Sequence, residues 1–186
     1  QERTSLQVTN DGDGTNLGLD VVLSRNFENG WFGNVVYAYN DARINDKDGF
    51  GEYDADFNRE HFFSIGGSWE ITERWKLGAR WKWATGRPTD DFIINSDVLG
   101  AGQPLRYSKE LTQQNALRLD DSHSLNIRVD YRLPLGPVDL VAFLDVINVY
   151  GGPDGGSQEF DPRRGVIVED EGEALPIIGL IFERSW

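Results

Sequence analysis

The chain has 186 residues, a net charge of −13, 21 glycines and neither cysteine nor methionine. Without cysteine there can be no disulfide, thiolate metal site or catalytic thiol, which suits an oxidising compartment without identifying one. The negative balance argues against a phosphate-binding surface of the nucleic-acid kind, which relies on clustered Lys and Arg, and no run approaches the roughly 18 apolar residues of a membrane helix. The chain opens on Gln1 rather than Met, with no visible signal peptide, and reads as a mature product or a piece of something longer.

In chain order the sequence reads as hairpins. A short strand is expected at Thr4 to Val8, followed by an Asp11-Gly12-Asp13-Gly14 turn. In 17–27, Leu17, Leu19, Val21 and Leu23 alternate with Gly18, Asp20, Val22 and Ser24, and Asn29-Gly30 supplies the positive φ angles of a tight turn. The next strand starts at Trp31 with Val35, Tyr37 and Tyr39 on one face, then gives way to an acidic loop over 41–60. Phe63, Ile65, Trp69 and Ile71 define a third strand, which turns at Thr72-Glu73-Arg74 into a fourth. There Trp75, Leu77, Ala79, Trp81 and Trp83 oppose Lys76, Gly78, Arg80 and Lys82. A long loop over 86–121 leads to 122–133, where His123, Leu125, Ile127, Val129, Tyr131 and Leu133 oppose Ser122, Ser124, Asn126, Arg128, Asp130 and Arg132. After the Pro134-Leu135-Gly136-Pro137 turn, Val138, Leu140, Ala142, Leu144 and Val146 return opposite Asp139 and Asp145. A glycine-rich loop over 151–175 precedes a last strand bearing Ile178, Leu180, Phe182 and Trp186.

About eight strands result, joined alternately by short turns and long loops, the connectivity of a transmembrane β-barrel. Alternation alone favours a soluble sandwich or ligand-binding barrel, but a soluble barrel gives aromatics no reason to gather at particular heights. Here Trp31, Trp69, Trp75 and Trp186 fall beside the short-turn end, and Tyr37, Tyr39, Trp81 and Trp83 toward the long-loop end. With ~3.3 Å per residue and a tilt of about 40°, Trp75 and Trp83 are separated by roughly 20 Å along the membrane normal, near the height of an outer-membrane apolar band. These six tryptophans are therefore read as membrane-interface aromatics.

An ordered set of motifs resembles the C-terminal part of TonB-dependent outer-membrane receptors. It comprises Gly18-Leu19-Asp20, Asn29-Gly30-Trp31-Phe32-Gly33, Tyr37-Ala38-Tyr39, Asp56-Phe57-Asn58-Arg59-Glu60-His61, Leu77-Gly78-Ala79-Arg80-Trp81 and Thr85-Gly86-Arg87-Pro88. Ser124 to Tyr131, Phe143 to Tyr150 and a Gly179-Leu180 strand ending on an aromatic complete it, with Arg184 departing from the apolar residue usual in the assembly signal. The resemblance implies an all-β, antiparallel transmembrane barrel of about 22 strands, of which 1–186 is the C-terminal part, with the plug domain absent from this chain. It implies a bacterial outer-membrane location and a wall for energised uptake of a metal chelate, glycan or peptide. The implied partners are the rest of the barrel and the plug, the TonB complex acting through the plug, and outer-membrane lipid, but not nucleic acid. Lys76, Arg80, Lys82, Asn126, Arg128, Asp130, Arg132 and Asp145 would then face the lumen, pairing across strands and touching the plug. An open sheet would leave edge groups unpaired in lipid, so a fragment or a split-barrel subunit is favoured over a self-closed small barrel. The alternative of another class is a self-closed outer-membrane or soluble β-protein with a structural or adhesive role.

Signals for chemistry are sparse. Asp120, Asp121, Ser122 and His123 are neighbours, but adjacent strand residues point to opposite faces and cannot form a relay, so no enzyme is expected. Asp11 and Asp13, and Asp46 and Asp48, sit on glycine turns that could gather a calcium ion, although neither completes a twelve-residue loop. No cofactor is required. With Glu52, Asp54 and Asp56, an acidic outer rim is expected either way.

Overall fold

The computed structural model describes residues 11–47, 51–97, 106–153, 158–169 and 172–184. Its strands are β1 (Asp13–Glu28), β2 (Trp31–Asn45), β3 (Tyr53–Asp54), β4 (His61–Glu70), β5 (Trp75–Ala84), β6 (Pro88–Asp97), β7 (Arg106–Arg118), β8 (Ser122–Pro134), β9 (Val138–Ile147), β10 (Gln158–Asp161), β11 (Val166–Glu169) and β12 (Leu175–Arg184). Among the described residues there is no helix. Seven strands form one antiparallel wall in the order β1-β2-β4-β5-β8-β9-β12, with β3 added beside β2. The β6–β7 and β10–β11 hairpins are separate two-stranded sheets, so the wall is a meander with two excursions. Among the described residues the outer edges of β1 and β12 stay unpaired, and the sheet is open rather than closed.

The short turns have local causes. Asn29 (φ 53°) and Gly30 (φ 78°) both take positive φ, the requirement of a two-residue hairpin turn. Thr72 Oγ1 accepts bonds from the amides of Arg74 and Trp75, at 3.2 and 3.1 Å, tightening the β4–β5 turn. Gly136 (φ 88°) closes the β8–β9 turn, where the Leu135 amide donates to the Val138 carbonyl at 2.9 Å. All three turns lie at the same end of the wall.

Register sorts the side chains into two faces. One row runs Leu23, Val35, Ile65, Trp81, Leu125, and another Val129, Leu144, Ile178. The row one residue out of step with the first runs Val22, Val36, Ser64, Lys82, Ser124. The apolar face lies open: Ile178 is 82% exposed, Phe182 70% and Leu17 67%. Among the described residues the only buried hydrophobic side chains are Ala42, Ala55, Ala84 and Val141. The ample core that the length allows is not formed there, because the apolar face turns outward.

Several expectations change. The long loop over 86–121 is instead largely the β6–β7 hairpin, whose register shifts around Asp91 break the alternation that marks a wall strand. The loop over 41–60 is shorter, because β2 continues to Asn45 and pairs with β3, and 151–175 holds β10–β11. The strand expected at Thr4 to Val8 lies outside the described residues, as do Asp48 and Trp186.

Candidate functional site

The polar face is built on β5, β8 and β9. Lys76, Arg80 and Lys82 alternate along β5, facing Asp130, Asn126 and Ser124 on β8, and Arg128 faces both Gly78 on β5 and Asp145 on β9. These residues, with Arg132, share one face because each lies an even number of positions from the next on its strand. Arg128 is the most heavily contacted: Nε meets Asp130 at 2.8 Å, Nη1 meets Asp145 at 4.0 Å, and the guanidinium lies 4.0 Å from the centre of the Phe143 ring. Arg132 bridges Asp139 at 3.5 Å and Glu183 at 3.1 Å, tying β8 to β12 across β9. Asn126 Oδ1 accepts the Asn148 amide at 3.0 Å.

On the apolar face, aromatics form two tiers. Trp31 stands opposite Trp69, and the Trp75 and Tyr131 rings are 4.7 Å apart, all beside the short turns. The tier toward the long loops is hydrogen-bonded. Tyr37 Oη and His61 Nδ1 are 3.0 Å apart, Tyr150 Oη and His123 Nδ1 likewise 3.0 Å, and Trp81 Nε1 donates to Tyr150 Oη at 3.2 Å. Trp83 faces Phe63 on one side and His123 on the other.

The acidic turns meet at the open end of the β1–β2 hairpin, where Asp13 stands opposite Asn45. Asp13 pairs with Lys47 at 3.0 Å, and the Tyr53 hydroxyl donates to Asp46. Asp11 lies just ahead of β1 and is exposed. Among the described residues no three His, Cys, Asp or Glu side chains gather as a metal group.

Above the wall, the long connections form a cap. Arg118 donates to Asp54, to Glu60 at 2.9 Å, and to the carbonyls of Asn58 and Gly86 at 3.2 and 3.1 Å. Asn115, in a positive-φ conformation (50°), donates through Nδ2 to the Asp54 carbonyl and to Asp56 Oδ1, both at 2.7 Å. Thr89 and Gln158 join the two hairpins at 3.1 Å. A cavity of about 300 Å³ lies between them, lined in part by Asp56, Arg87, Phe92, Lys109 and Phe160.

Sequence periodicity missed the partnerships of Arg59, Arg118 and Tyr150, which connect residues about 60 positions apart or more. Arg59 and Tyr150 stand in conspicuous motifs, but no spacing rule ties them to Ser122 and Trp81. Ser122 accepts a bond from Arg59 while His123 bonds Tyr150 on the opposite face, so the two are not a nucleophile–base pair.

This arrangement defines a class: an antiparallel β-wall with one apolar and one charged face, plain turns at one end and folded loops at the other. Residues 3–95, half of the chain, match the family described as "Putative MetA-pathway of phenol degradation", and the chain belongs to that family. No curated protein and no solved structure matches significantly.

Proposed function

We propose that the chain is a section of the wall of a bacterial outer-membrane transport barrel, the C-terminal part of a TonB-dependent receptor. The apolar face meets lipid, and the charged face lines a plug-filled lumen. The observation that carries this reading is the seven-strand apolar face itself. Fully burying one Leu, Ile or Phe side chain contributes ~1.5–3 kcal/mol. A wall with Leu17, Leu19, Ile178, Leu180 and Phe182 all more than half exposed therefore finds in lipid the burial it lacks within itself.

The two aromatic tiers match the interfacial preference of amphipathic rings. Unpaired edges support completion of the barrel by further strands, from the same gene product or a partner chain. Energised uptake through the TonB complex then supplies a scarce nutrient, a metal chelate, glycan or peptide. Membership in a family described by phenol degradation favours a second cargo class, a small aromatic compound.

The cysteine-free background makes the test direct. Single cysteines at Ile178, Leu144, Ser124 and Arg128 are labelled with an environment-sensitive dye in vesicles containing quencher-bearing lipids. Quenching is expected at Ile178 and Leu144 and not at Ser124 or Arg128. Equal quenching on both faces, or a chain that stays monodisperse without detergent, would instead favour the soluble structural alternative.

A further inference from the structure

The cations of β5 are not equivalent. Lys76 stands between Glu70 and Asp130 in the register, so its charge is met from both sides. Lys82 stands between Ser64 and Ser124, and Arg80 between Gly66 and Asn126. Among the described residues no carboxylate lies within ion-pair distance of Lys82 or Arg80. In a chain with a net charge of −13, two neighbouring cations on one face lack a counter-charge. The total charge, which argues against a nucleic-acid surface, conceals this local cationic strip.

A third cation approaches from the loop side. Arg59 Nη1 donates to Ser122 Oγ at 3.2 Å, and beside this pair lies a cavity of about 70 Å³ lined in part by Arg59, Phe62, Lys82, Ala84, Ser122 and Ser124. That is the room of about two water molecules. Ser64, Ser122 and Ser124 are each 6% exposed. Because Ser122 uses its oxygen to accept from Arg59, its own hydroxyl hydrogen is left to donate onward. Two cations and buried hydroxyl donors converging on a small cavity are the components of an oxyanion site.

We propose that this cavity binds a carboxylate or phosphate group of a small solute, held by Arg59, Lys82, Ser122 and Ser124, with Arg80 and Asn126 as the next station down the wall. The inference rests on the reading of this face as the lumen and names the charged end of the cargo. The acidic rim repels simple anions, so the favoured solute carries its anionic group beside a neutral or cationic portion.

The test uses the chain in detergent micelles and an amine-acetylating reagent, with modification of each lysine read by peptide mass spectrometry. Inorganic phosphate or succinate is expected to slow acetylation of Lys82 severalfold and leave Lys109 unchanged, while chloride at matched ionic strength protects neither. Unchanged acetylation of Lys82 with both probes overturns the site. In titrations with inorganic phosphate, the Lys82→Gln/Arg80→Gln double variant should bind about tenfold or more weakly, and Lys82→Arg should retain binding. If the double variant fails to fold, protection of the unmodified chain still decides. Protection of Lys82 in a chain that shows no lipid quenching keeps the anion site and removes the membrane reading. Quenching without protection does the reverse.

Discussion

Replacing Gly179 with alanine should destabilise the wall, although the same change at an open strand position does the opposite. Glycine in a strand costs roughly 0.5–1 kcal/mol relative to alanine through backbone entropy. At Gly179, however, the added Cβ would lie 2.3 Å from Cζ of Phe143, the residue directly opposite on β9. The ring has little freedom to retreat, because the Arg128 guanidinium sits 4.0 Å from its centre and is itself held by Asp130 at 2.8 Å. Overpacking of this kind costs about 1–3 kcal/mol, and displacing the ring forfeits a further ~0.5–1 kcal/mol of cation–π attraction. Against the entropic gain, the net loss is about 1–3 kcal/mol, or roughly 30-fold in the folding equilibrium at its middle. The assay is urea unfolding in detergent micelles followed by tryptophan fluorescence, run as a double-mutant cycle with Phe143→Leu, which should recover most of the loss. A Gly179→Ala variant as stable as the parent, or a coupling energy below about 0.5 kcal/mol, refutes the packing argument.

Two further substitutions probe the cap and the upper aromatic tier. Arg118→Ala removes the donor shared by Asp54, Glu60, Asn58 and Gly86, and should loosen the cap by about 1–3 kcal/mol after allowance for its partial exposure. Limited proteolysis within 51–60 and 106–118 should accelerate while the urea midpoint of the wall holds. Equal cleavage in both proteins would contradict the hub role. Tyr150→Phe removes the hydroxyl joining Trp81 and His123 at a cost of about 0.5–1.5 kcal/mol, with a shift in tryptophan emission that Tyr131→Phe, whose hydroxyl plays no such part, should not produce.

How far the sequence was legible follows from where a period could exist. Strands β1, β2, β4, β5, β8, β9 and β12 lie in one two-faced sheet, so a period of two runs along them and the expected strands fall on them. The β6–β7 hairpin has no such division. Residues of β7 are nearly all exposed, and the shift around Asp91 upsets what alternation remains. Adjacency of β5 to β8 needed no knowledge of the hairpin, because reading 86–121 as one long connection between successive antiparallel strands already makes them neighbours. Within the charged face, Arg128 and Asp130 are two positions apart on one strand, and their pairing follows from alternation. The reach of Arg132 to Glu183 and of Arg59 to Ser122 depends on how distant strands align, and no local pattern encodes it. The acidic turns illustrate a subtler limit. Their carboxylates were visible, but not the Lys47 ammonium and Tyr53 hydroxyl that engage Asp13 and Asp46.

The open edges lead to a prediction about assembly. In an antiparallel strand paired on one side, alternate residues direct their N–H and C=O groups away from the partner. For the 16 residues of β1 that leaves about eight residues with outward groups, each group costing several kcal/mol if held unpaired in hydrocarbon. The sum, tens of kcal/mol, exceeds the whole net stability of an ordinary domain. On the proposed membrane reading, the seven-strand sheet therefore enters lipid only with β1 and β12 paired to further strands. Hydrogen exchange provides the readout. In the isolated chain, outward amides of β1 should exchange far faster than those of β5, which is paired on both sides. In the completed barrel the two should be comparably protected. Protection of the β1 edge in a monomeric isolated chain would mean that β1 and β12 close on one another, and the chain would then be a small barrel in its own right.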